Sequence, residues 1–136
     1  MESIREWVDD PAIPNDEMLY RGITEHQIAE GMVSSAAFKG SSRSGDPHFS
    51  VDRASMTTPR DTLERLCHSV AVAQLQAGSA RALAPDVAGI ASAPVPGNLA
   101  HALILRAPSV GGSAWIRVAR SLASACGWAI PPGAVS

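Results

Sequence analysis

The sequence predicts an α+β fold, a single compact domain with a mostly antiparallel sheet of about five strands and three or four helices. The chain has 136 residues, of which 46% are hydrophobic and 18% are charged, a composition that suits one hydrophobic core. Segments with strand-like alternation are interleaved with segments of helical spacing, and no internal repeat is present. We expect an N-terminal arm over residues 1–17 and one domain over residues 18–136.

The first elements are an arm, a strand and a short helix. "MESIREWVDDPAIPNDE" combines acidic residues with prolines, which predicts an arm that lies over the domain with Trp7 as its anchor. The apolar run "MLYRGI" predicts the first strand. "TEHQIAEGM" then predicts a short helix, with Thr24 as the N-cap and Gly31 at the end.

The middle of the chain predicts a loop followed by a strand and a helix. "SSAAF" is expected to be extended, and the Gly- and Ser-rich "KGSSRSGDP" is expected to be a loop. Residues 49–54 are predicted to form a strand. A capping hydroxyl, a proline and a first-turn acid mark the next helix at Thr58, Pro59 and Asp61. Because capping explains "TTPRDTLERL", we assign that stretch no function.

The second half predicts further strands and a long amphipathic helix. "SVAVAQLQA", "DVAGIASAPV" and "AHALILRA" are expected to be strands, and "GSARALA" a turn or short helix. "SAWIRVARSLASACGW" spaces its apolar residues along one helical face, with Gly127 at the helix end.

Composition disfavours several classes of function. The formal net charge of −2 provides no basic field for nucleic acid. No apolar run reaches the roughly 20 residues of a membrane span, and the acidic start lacks the features of a secretion signal, so we expect a cytoplasmic protein. Cys67 and Cys126 match no metal-ligand spacing, and we expect both to be small buried residues and assign no metal. A single lysine among eleven basic residues, with abundant alanine, is typical of a GC-rich bacterial genome.

The candidates for proton transfer lie in "HFSVD" and "NLAHALIL". In a regular strand, His48, Ser50 and Asp52 share one face, and Arg53 points the other way. His48 and His101 each begin a strand beside a loop, where an imidazole can act as an acid or base. His101 is the stronger candidate, because apolar neighbours would desolvate it. A hydrogen-bonded structural histidine is the alternative for both.

A second group of residues is expected to bind substrate. Arg21 lies in an apolar strand, so its guanidinium needs solvent or a partner: it reaches water at the strand edge, pairs with a carboxylate such as Asp52 or Glu64, or holds an anionic substrate. Ser34 and Ser35 offer two hydroxyls beside small residues, although serine pairs are also common in turns. No GxSxG or SxxK motif marks a serine nucleophile. The segment from Ser34 to Phe38, with Trp7 or Trp115, would line the pocket.

Five stretches of this chain resemble a set of small uncharacterised bacterial proteins. They are "MLYRGI", "VSSAAFK", "FSVDRASMTTPRDTL", "VAQLQAGSARAL" and "NLAHALI". The pattern of those proteins is close to LYRRI, SSAAF, SVD-A-LTTPEETL and NPAHA, and the resemblance covers roughly residues 15–130. This chain departs from the pattern at Leu99, where the pattern has proline, and at Arg60 and Asp61, where the pattern has glutamates. The resemblance implies no settled activity.

The order of an arginine strand, a hydroxyl segment and a later acid is similar to the layout of ADP-ribosyltransferases and RES-type NAD-consuming toxins. That resemblance implies that Arg21 holds a phosphate of NAD, Ser34 or Ser35 lines the nicotinamide site, and Glu64 is the acid. The glycine-rich, tryptophan-bearing RES signature is missing here.

We therefore expect a small stand-alone enzyme that acts on a small organic substrate by acid/base chemistry without a cofactor. His101 with Asp52 or His48 would move protons, and Arg21 would hold an anionic group. A condensation or cyclisation of the Pictet–Spengler type in a biosynthetic pathway needs only such groups. The alternatives are the NAD-handling enzyme and a regulatory or immunity-type binding module whose polar strand faces a partner protein. A homodimer is compatible with each.

Overall fold

The structure is a computed structural model, and it describes residues 9–38, 48–66, 68–83, 88–107, 110 and 112–133. Its strands are β1 (Met18–Ile23), β2 (Ile28–Ala29), β3 (Met32–Val33), β4 (His48–Arg53), β5 (Ala71–Gln76), β6 (Ala88–Ser92), β7 (His101–Arg106) and β8 (Gly127–Ile130). Its α-helices are α1 (Pro59–Arg65), α2 (Ala77–Leu83) and α3 (Gly112–Ala125). Glu25–Gln27 and Ser35–Phe38 form single 3₁₀ turns.

A six-stranded sheet organises the fold, in the order β6-β7-β4-β1-β5-β8. Every pairing between the described strands of this sheet is antiparallel. A separate two-stranded sheet joins β2 to β3. The predicted α+β class and the mostly antiparallel sheet are confirmed, and the main sheet has six strands where about five were expected.

One side of the sheet, here called the α3 side, carries the main hydrophobic core. Strand alternation turns Leu19, Arg21 and Ile23 of β1 to this side, together with Phe49 and Val51 of β4. The 3₁₀ turn Ser35–Phe38 packs on α3 over these residues. The Trp115 indole of α3 donates a 2.7 Å hydrogen bond to the Phe38 carbonyl oxygen, which satisfies its one polar atom in the core.

The opposite side, here called the α1 side, is covered in part by α1. The predicted start of this helix is confirmed, because the Thr58 hydroxyl accepts a hydrogen bond from the Asp61 amide at 3.2 Å and Pro59 is the first helical residue. The chain after α1 packs closely on Gly22 of β1. A Cβ atom at position 22 would lie 2.5 Å from the Ser69 hydroxyl oxygen, so a glycine is required for this approach.

Two local expectations were wrong, and a third was incomplete. The stretch after Thr24 forms only a 3₁₀ turn and then the β2–β3 hairpin, because Glu30 and Gly31 adopt φ values of 54° and 79° that reverse the chain. "SSAAF" is largely a 3₁₀ turn rather than an extended piece, since its apolar end packs on α3. Gly127 does not merely end α3 but begins the edge strand β8, which pairs with β5.

The segment before β1 is fixed by Arg81 of α2. The Arg81 guanidinium donates to the Asp9 carboxylate at 2.8 Å, to the Ile13 carbonyl at 2.8 Å and to the Asn15 side chain at 2.8 Å. Ile13 is buried in the core. Trp7, the predicted anchor of the arm, and the predicted loop over residues 39–47 lie outside the described residues. No helix in the described ranges has the length and apolar character to cross a membrane.

Candidate functional site

A cavity of about 180 Å³ opens on the α1 side of the sheet, where β4 lies between β1 and β7. We call it the α1-side cavity. It is bordered by sheet residues, by α1 and by the loop before β7: Tyr20, Arg21, Gly22, Ser50, Val51, Asp52, Thr62, Arg65, Leu66, Asn98 and His101. Two of the predicted proton-transfer residues, Asp52 and His101, therefore border the same cavity.

The strand register explains why these two residues meet. In β4, Ser50 and Asp52 are two residues apart and share the α1 side, as the alternation predicted. His101 of β7 lies directly opposite Asp52, while Ser50 lies opposite Leu103. His101 is thus the direct cross-strand neighbour of Asp52 and a diagonal neighbour of Ser50, a separation that an imidazole can bridge.

Asp52 is buried and accepts three side-chain hydrogen bonds. Its Oδ2 atom accepts from the Thr62 hydroxyl at 2.8 Å and from Nη1 of Arg65 at 2.6 Å, and its Oδ1 atom accepts from Nδ2 of Asn98 at 2.9 Å. Both oxygens are therefore engaged, and the guanidinium compensates the buried charge. Asp52 holds Arg65 and Asn98 at the cavity wall rather than offering a free carboxylate.

His101 is fixed through both ring nitrogens. Nδ1 lies 2.7 Å from the Ala93 carbonyl oxygen, and Nε2 lies 3.0 Å from the Ser50 hydroxyl oxygen. A carbonyl oxygen only accepts, so Nδ1 must carry the proton that it donates. In the neutral ring, Nε2 then has a lone pair, and the Ser50 hydroxyl donates to it. The half-buried imidazole is held in one tautomer, with its basic nitrogen directed at an exposed serine.

Arg21 borders the cavity, but the contacts of its guanidinium are on the α3 side. Nε donates to the Ala37 carbonyl at 2.7 Å, and Nη1 donates to the Ser50 carbonyl. The Arg21 Cζ atom lies 5.1 Å from the centre of the Phe49 ring and 5.9 Å from that of Phe38. Burial lowers the pKa of Arg21 to about 10, so the guanidinium stays charged at neutral pH.

The partners expected for Arg21 were therefore wrong. Asp52 pairs with Arg65 rather than with Arg21, and Glu64 pairs with Arg60 at 3.2 Å, with both side chains largely exposed. The reason is the strand alternation of β1, which places Arg21 on the side of Leu19 and away from Asp52. Among the described residues, carbonyl oxygens and aromatic rings take the role that a carboxylate was expected to fill.

Among the described residues, the predicted substrate-binding residues other than Arg21 do not border the cavity. Phe38 and Trp115 are buried in the α3-side core. The hydroxyl of Ser34 accepts a 3.2 Å hydrogen bond from the Ala36 amide, and Ser35 is the first residue of the 3₁₀ turn. Both serines belong to a turn, which was one of the two alternatives. Trp7 lies outside the described residues.

The two other predicted acid/base residues are His48 and Glu64. His48 is the first residue of β4 and pairs with Leu105, and its side chain lies outside the described part of the structure. Glu64 is exposed on α1, on the opposite side of the sheet from Ser34 and Ser35. The residues of the NAD-handling layout, Arg21 with a serine and Glu64, are thus not brought together.

Sequence reasoning missed Thr62, Arg65, Asn98 and Tyr20. Thr62 and Arg65 are three residues apart in "TTPRDTLERL" and share the helix face that meets Asp52, so this stretch does more than cap a helix. That spacing was a usable signal. Asn98 offered no such signal, because its position at Asp52 depends on the turn before β7.

The cysteine and metal expectations concern other parts of the molecule. Burial raises the pKa of the Cys126 thiol to about 12, against the opposing effect of the Arg21 charge, so the thiol is protonated and inert at neutral pH. Cys67 lies outside the described residues. In the described ranges, no three His, Cys, Asp or Glu side chains form a group that could hold a metal ion.

No protein-family model, curated protein or solved structure matches this chain. The functional argument therefore depends on the geometry of the site.

Proposed function

We propose that the protein is a small enzyme that transfers protons on a small organic substrate in the α1-side cavity, with His101 as the acid and base. The observation that carries the proposal is the double anchoring of the imidazole, by the Ala93 carbonyl at 2.7 Å and the Ser50 hydroxyl at 3.0 Å. A general base needs a fixed tautomer and a lone pair directed at the proton it removes. His101 meets both requirements.

The groups around the cavity suit a polar substrate that gains charge during the reaction. Asp52 uses its two oxygens to hold Arg65 and Asn98, and each of these keeps N–H groups beyond the one that Asp52 accepts. Donors that are fixed before the reaction stabilise negative charge without reorganising. In this proposal Asp52 is a positioning residue, and His101 alone moves protons.

The size and walls of the cavity limit the substrate. A cavity of about 150 Å³ holds a benzene molecule, so the volume of about 180 Å³ accommodates a group of similar size. Leu66, about half exposed at the border, and the Tyr20 ring provide apolar surface beside the polar donors. A small organic molecule with one apolar part and one polar reacting group fits these walls.

A condensation or cyclisation in a biosynthetic pathway belongs to this proposal as a specific reaction. It requires that one group protonate or deprotonate the reacting atoms while other donors hold developing charge, which His101 and the Asp52-held donors can do. The Pictet–Spengler type and acyl condensation are two members of this class, and they differ in whether a carbonyl-derived imine or an acyl group reacts.

The test is turnover of a defined panel by three proteins. The panel contains an arylethylamine with an aldehyde, a set of small esters and thioesters, and NAD, with products followed by mass spectrometry. The wild type should convert the amine–aldehyde pair or at least one ester or thioester. His101→Ala should lower the rate of that conversion by about 100-fold or more. His26→Ala is the matched control, because His26 is exposed on a 3₁₀ turn away from the cavity.

Equal rates for the wild type and His101→Ala, with both proteins folded by circular dichroism, would contradict the proposal. Cleavage of NAD that survives His101→Ala would favour the NAD-handling alternative.

A further inference from the structure

We propose that Ser50 is a nucleophile that is acylated by its substrate, and that the substrate class is a small ester or thioester. This inference rests on the proposed role of His101, and it adds the identity of the proton that His101 removes. It comes from the 3.0 Å contact between the Ser50 hydroxyl and Nε2 of His101. A serine hydroxyl becomes a nucleophile when a base accepts its proton at this distance.

The site contains the three groups that a nucleophilic serine requires: an accessible hydroxyl, a base and a group that orients the base. Ser50 is exposed at the cavity, so a substrate carbonyl can reach its hydroxyl. His101 is the base, and the Ala93 carbonyl orients it through Nδ1. The Ala93 carbonyl oxygen thus takes the orienting role that a carboxylate has in a catalytic triad.

The backbone of Ser50 is held from the other side of the sheet. Arg21 donates to the Ser50 carbonyl while its guanidinium packs on the Phe49 ring, and β4 pairs with β7 through this stretch. The hydroxyl is therefore presented by a central strand that is fixed on both sides. Such preorganisation lowers the cost of reaching the attacking geometry.

Two other serines in the described part of the chain, Ser34 and Ser69, do not have this arrangement. The Ser34 hydroxyl accepts from a backbone amide within its turn. Ser69 has a buried hydroxyl with no hydrogen-bond partner, and it packs against Gly22. In the described part of the chain, Ser50 and His101 form the one hydrogen bond between a serine and a histidine.

In the acylation step, His101 accepts the proton of the Ser50 hydroxyl and later donates it to the leaving group. The Ser50 Oγ atom bonds to the substrate carbonyl carbon, and its proton moves to Nε2 of His101. The carbonyl oxygen becomes an oxyanion, for which Asn98 and Arg65 are the nearby donors at the cavity border. When the intermediate collapses, the bond from carbon to the leaving oxygen or sulfur breaks, and Nε2 returns the proton to the leaving alcohol or thiol.

The second half of the reaction releases the acyl group. Water, or an acceptor amine or alcohol, attacks the acyl carbon while His101 takes its proton. The bond to Ser50 then breaks, and His101 returns the proton to the Ser50 oxygen. When water attacks, the product is a carboxylic acid. When an amine or alcohol attacks, the product is an amide or an ester.

The test is acylation by p-nitrophenyl acetate and by a fluorophosphonate probe, measured by intact mass and peptide mapping. The wild type should gain one acyl or phosphonyl group on Ser50. Ser50→Ala should abolish the adduct on the peptide that contains residue 50, and His101→Ala should slow its formation by about 100-fold or more. Ser124→Ala is the matched control, since Ser124 is exposed on α3.

Ser50→Cys separates nucleophilic from structural roles. A thiol at this position can replace the hydroxyl as a nucleophile, so the variant should react with p-nitrophenyl acetate at residue 50, whereas Ser50→Ala should not. Ester turnover that persists in Ser50→Ala but is lost in His101→Ala would overturn the nucleophile and leave the proposed function intact. Absence of an adduct at residue 50 with both probes, or an adduct at Tyr20 instead, would also overturn the inference.

Discussion

The two sides of the sheet make different uses of the same strands. On the α3 side, Phe38, Phe49 and Trp115 pack into a closed core, and the Arg21 guanidinium donates its hydrogen bonds to carbonyl oxygens. On the α1 side, Asp52 and His101 are surrounded by polar partners and border an open cavity. Residues one position apart in β1 and β4 therefore border the hydrophobic core on one side and the polar cavity on the other.

This difference shows how a short chain can support a polar site. Ser50 is the residue where the two sides meet, because Arg21 holds its carbonyl oxygen while its hydroxyl contacts His101. The α3 side fixes the backbone of Ser50, and the α1 side presents its hydroxyl. Substitutions on the α3 side should change mainly stability, whereas substitutions at His101 should change mainly activity.

The largest expected effect is on turnover. His101→Ala should reduce the rate with any substrate found in the panel by about 100- to 10,000-fold, because it removes the proton-transfer group. Its free energy of unfolding should change little, since the residue is only half-buried. Steady-state kinetics and urea unfolding measure the two quantities. If His101→Ala lost much of its stability but its folded fraction kept full turnover, His101 would have a structural role and not the proposed catalytic one.

The next effect is on the stability of the hydrogen-bond network around Asp52. Asp52→Ala leaves Arg65, Thr62 and Asn98 without their shared acceptor, and removing one partner of a buried ion pair costs about 3 kcal/mol. Urea unfolding should show this loss. Asp16→Asn, at an exposed position, is the control and should leave stability unchanged. A loss below about 0.5 kcal/mol for Asp52→Ala would show that the network contributes little.

A smaller effect on stability is expected from Arg21. Arg21→Met keeps the packing on Phe38 and Phe49 but leaves the Ala37 and Ser50 carbonyls without their donor, at a cost of about 2 kcal/mol. The remaining folded protein should keep far more activity than His101→Ala, because the guanidinium contacts lie on the α3 side. Loss of activity as complete as that of His101→Ala would assign Arg21 to the substrate site.

The fourth effect depends on pH. Burial alone would raise the pKa of Glu17, but hydrogen bonds from Arg53 and Ser55 outweigh burial and lower it below its ordinary value of 4.5. A lowered pKa in the folded state means that the carboxylate stabilises the fold above pH 4.5, and that this contribution disappears as the pH falls through the folded-state pKa.

Glu17→Gln should therefore be less stable than the wild type at neutral pH, by about 1 kcal/mol, and the difference should shrink on acidification below pH 4.5. Urea unfolding of both proteins across the acid range measures the difference. A gap that stays constant with pH would contradict the lowered pKa.

The smallest effect is expected at Glu64. Its ion pair with Arg60 is exposed, and such pairs contribute little, so Glu64→Gln should change stability by no more than about 0.5 kcal/mol. Turnover in the panel should also be unchanged, because the side chain does not border the cavity. Loss of an NAD-cleaving activity in this variant would revive the transferase layout.

The sequence contained most of the fold but only part of the site. Alternation within "HFSVD" correctly placed Ser50 and Asp52 on one side, and apolar alternation in "MLYRGI" should have placed Arg21 on the other. The expected pairing of Arg21 with Asp52 ignored that alternation. The register that sets His101 opposite Asp52 depends on how β7 pairs with β4, and a single strand does not encode its register with a distant one.

The central claim is that the His101 imidazole is fixed with a proton on Nδ1 and that Ser50 donates to Nε2. Nitrogen-15 NMR of the imidazole tests this without a substrate. The account predicts that the neutral ring carries its proton on Nδ1, with an Nε2 signal that shifts in Ser50→Ala while His26 is unaffected. A ring with its proton on Nε2, or one that averages between tautomers and ignores Ser50→Ala, would contradict the account.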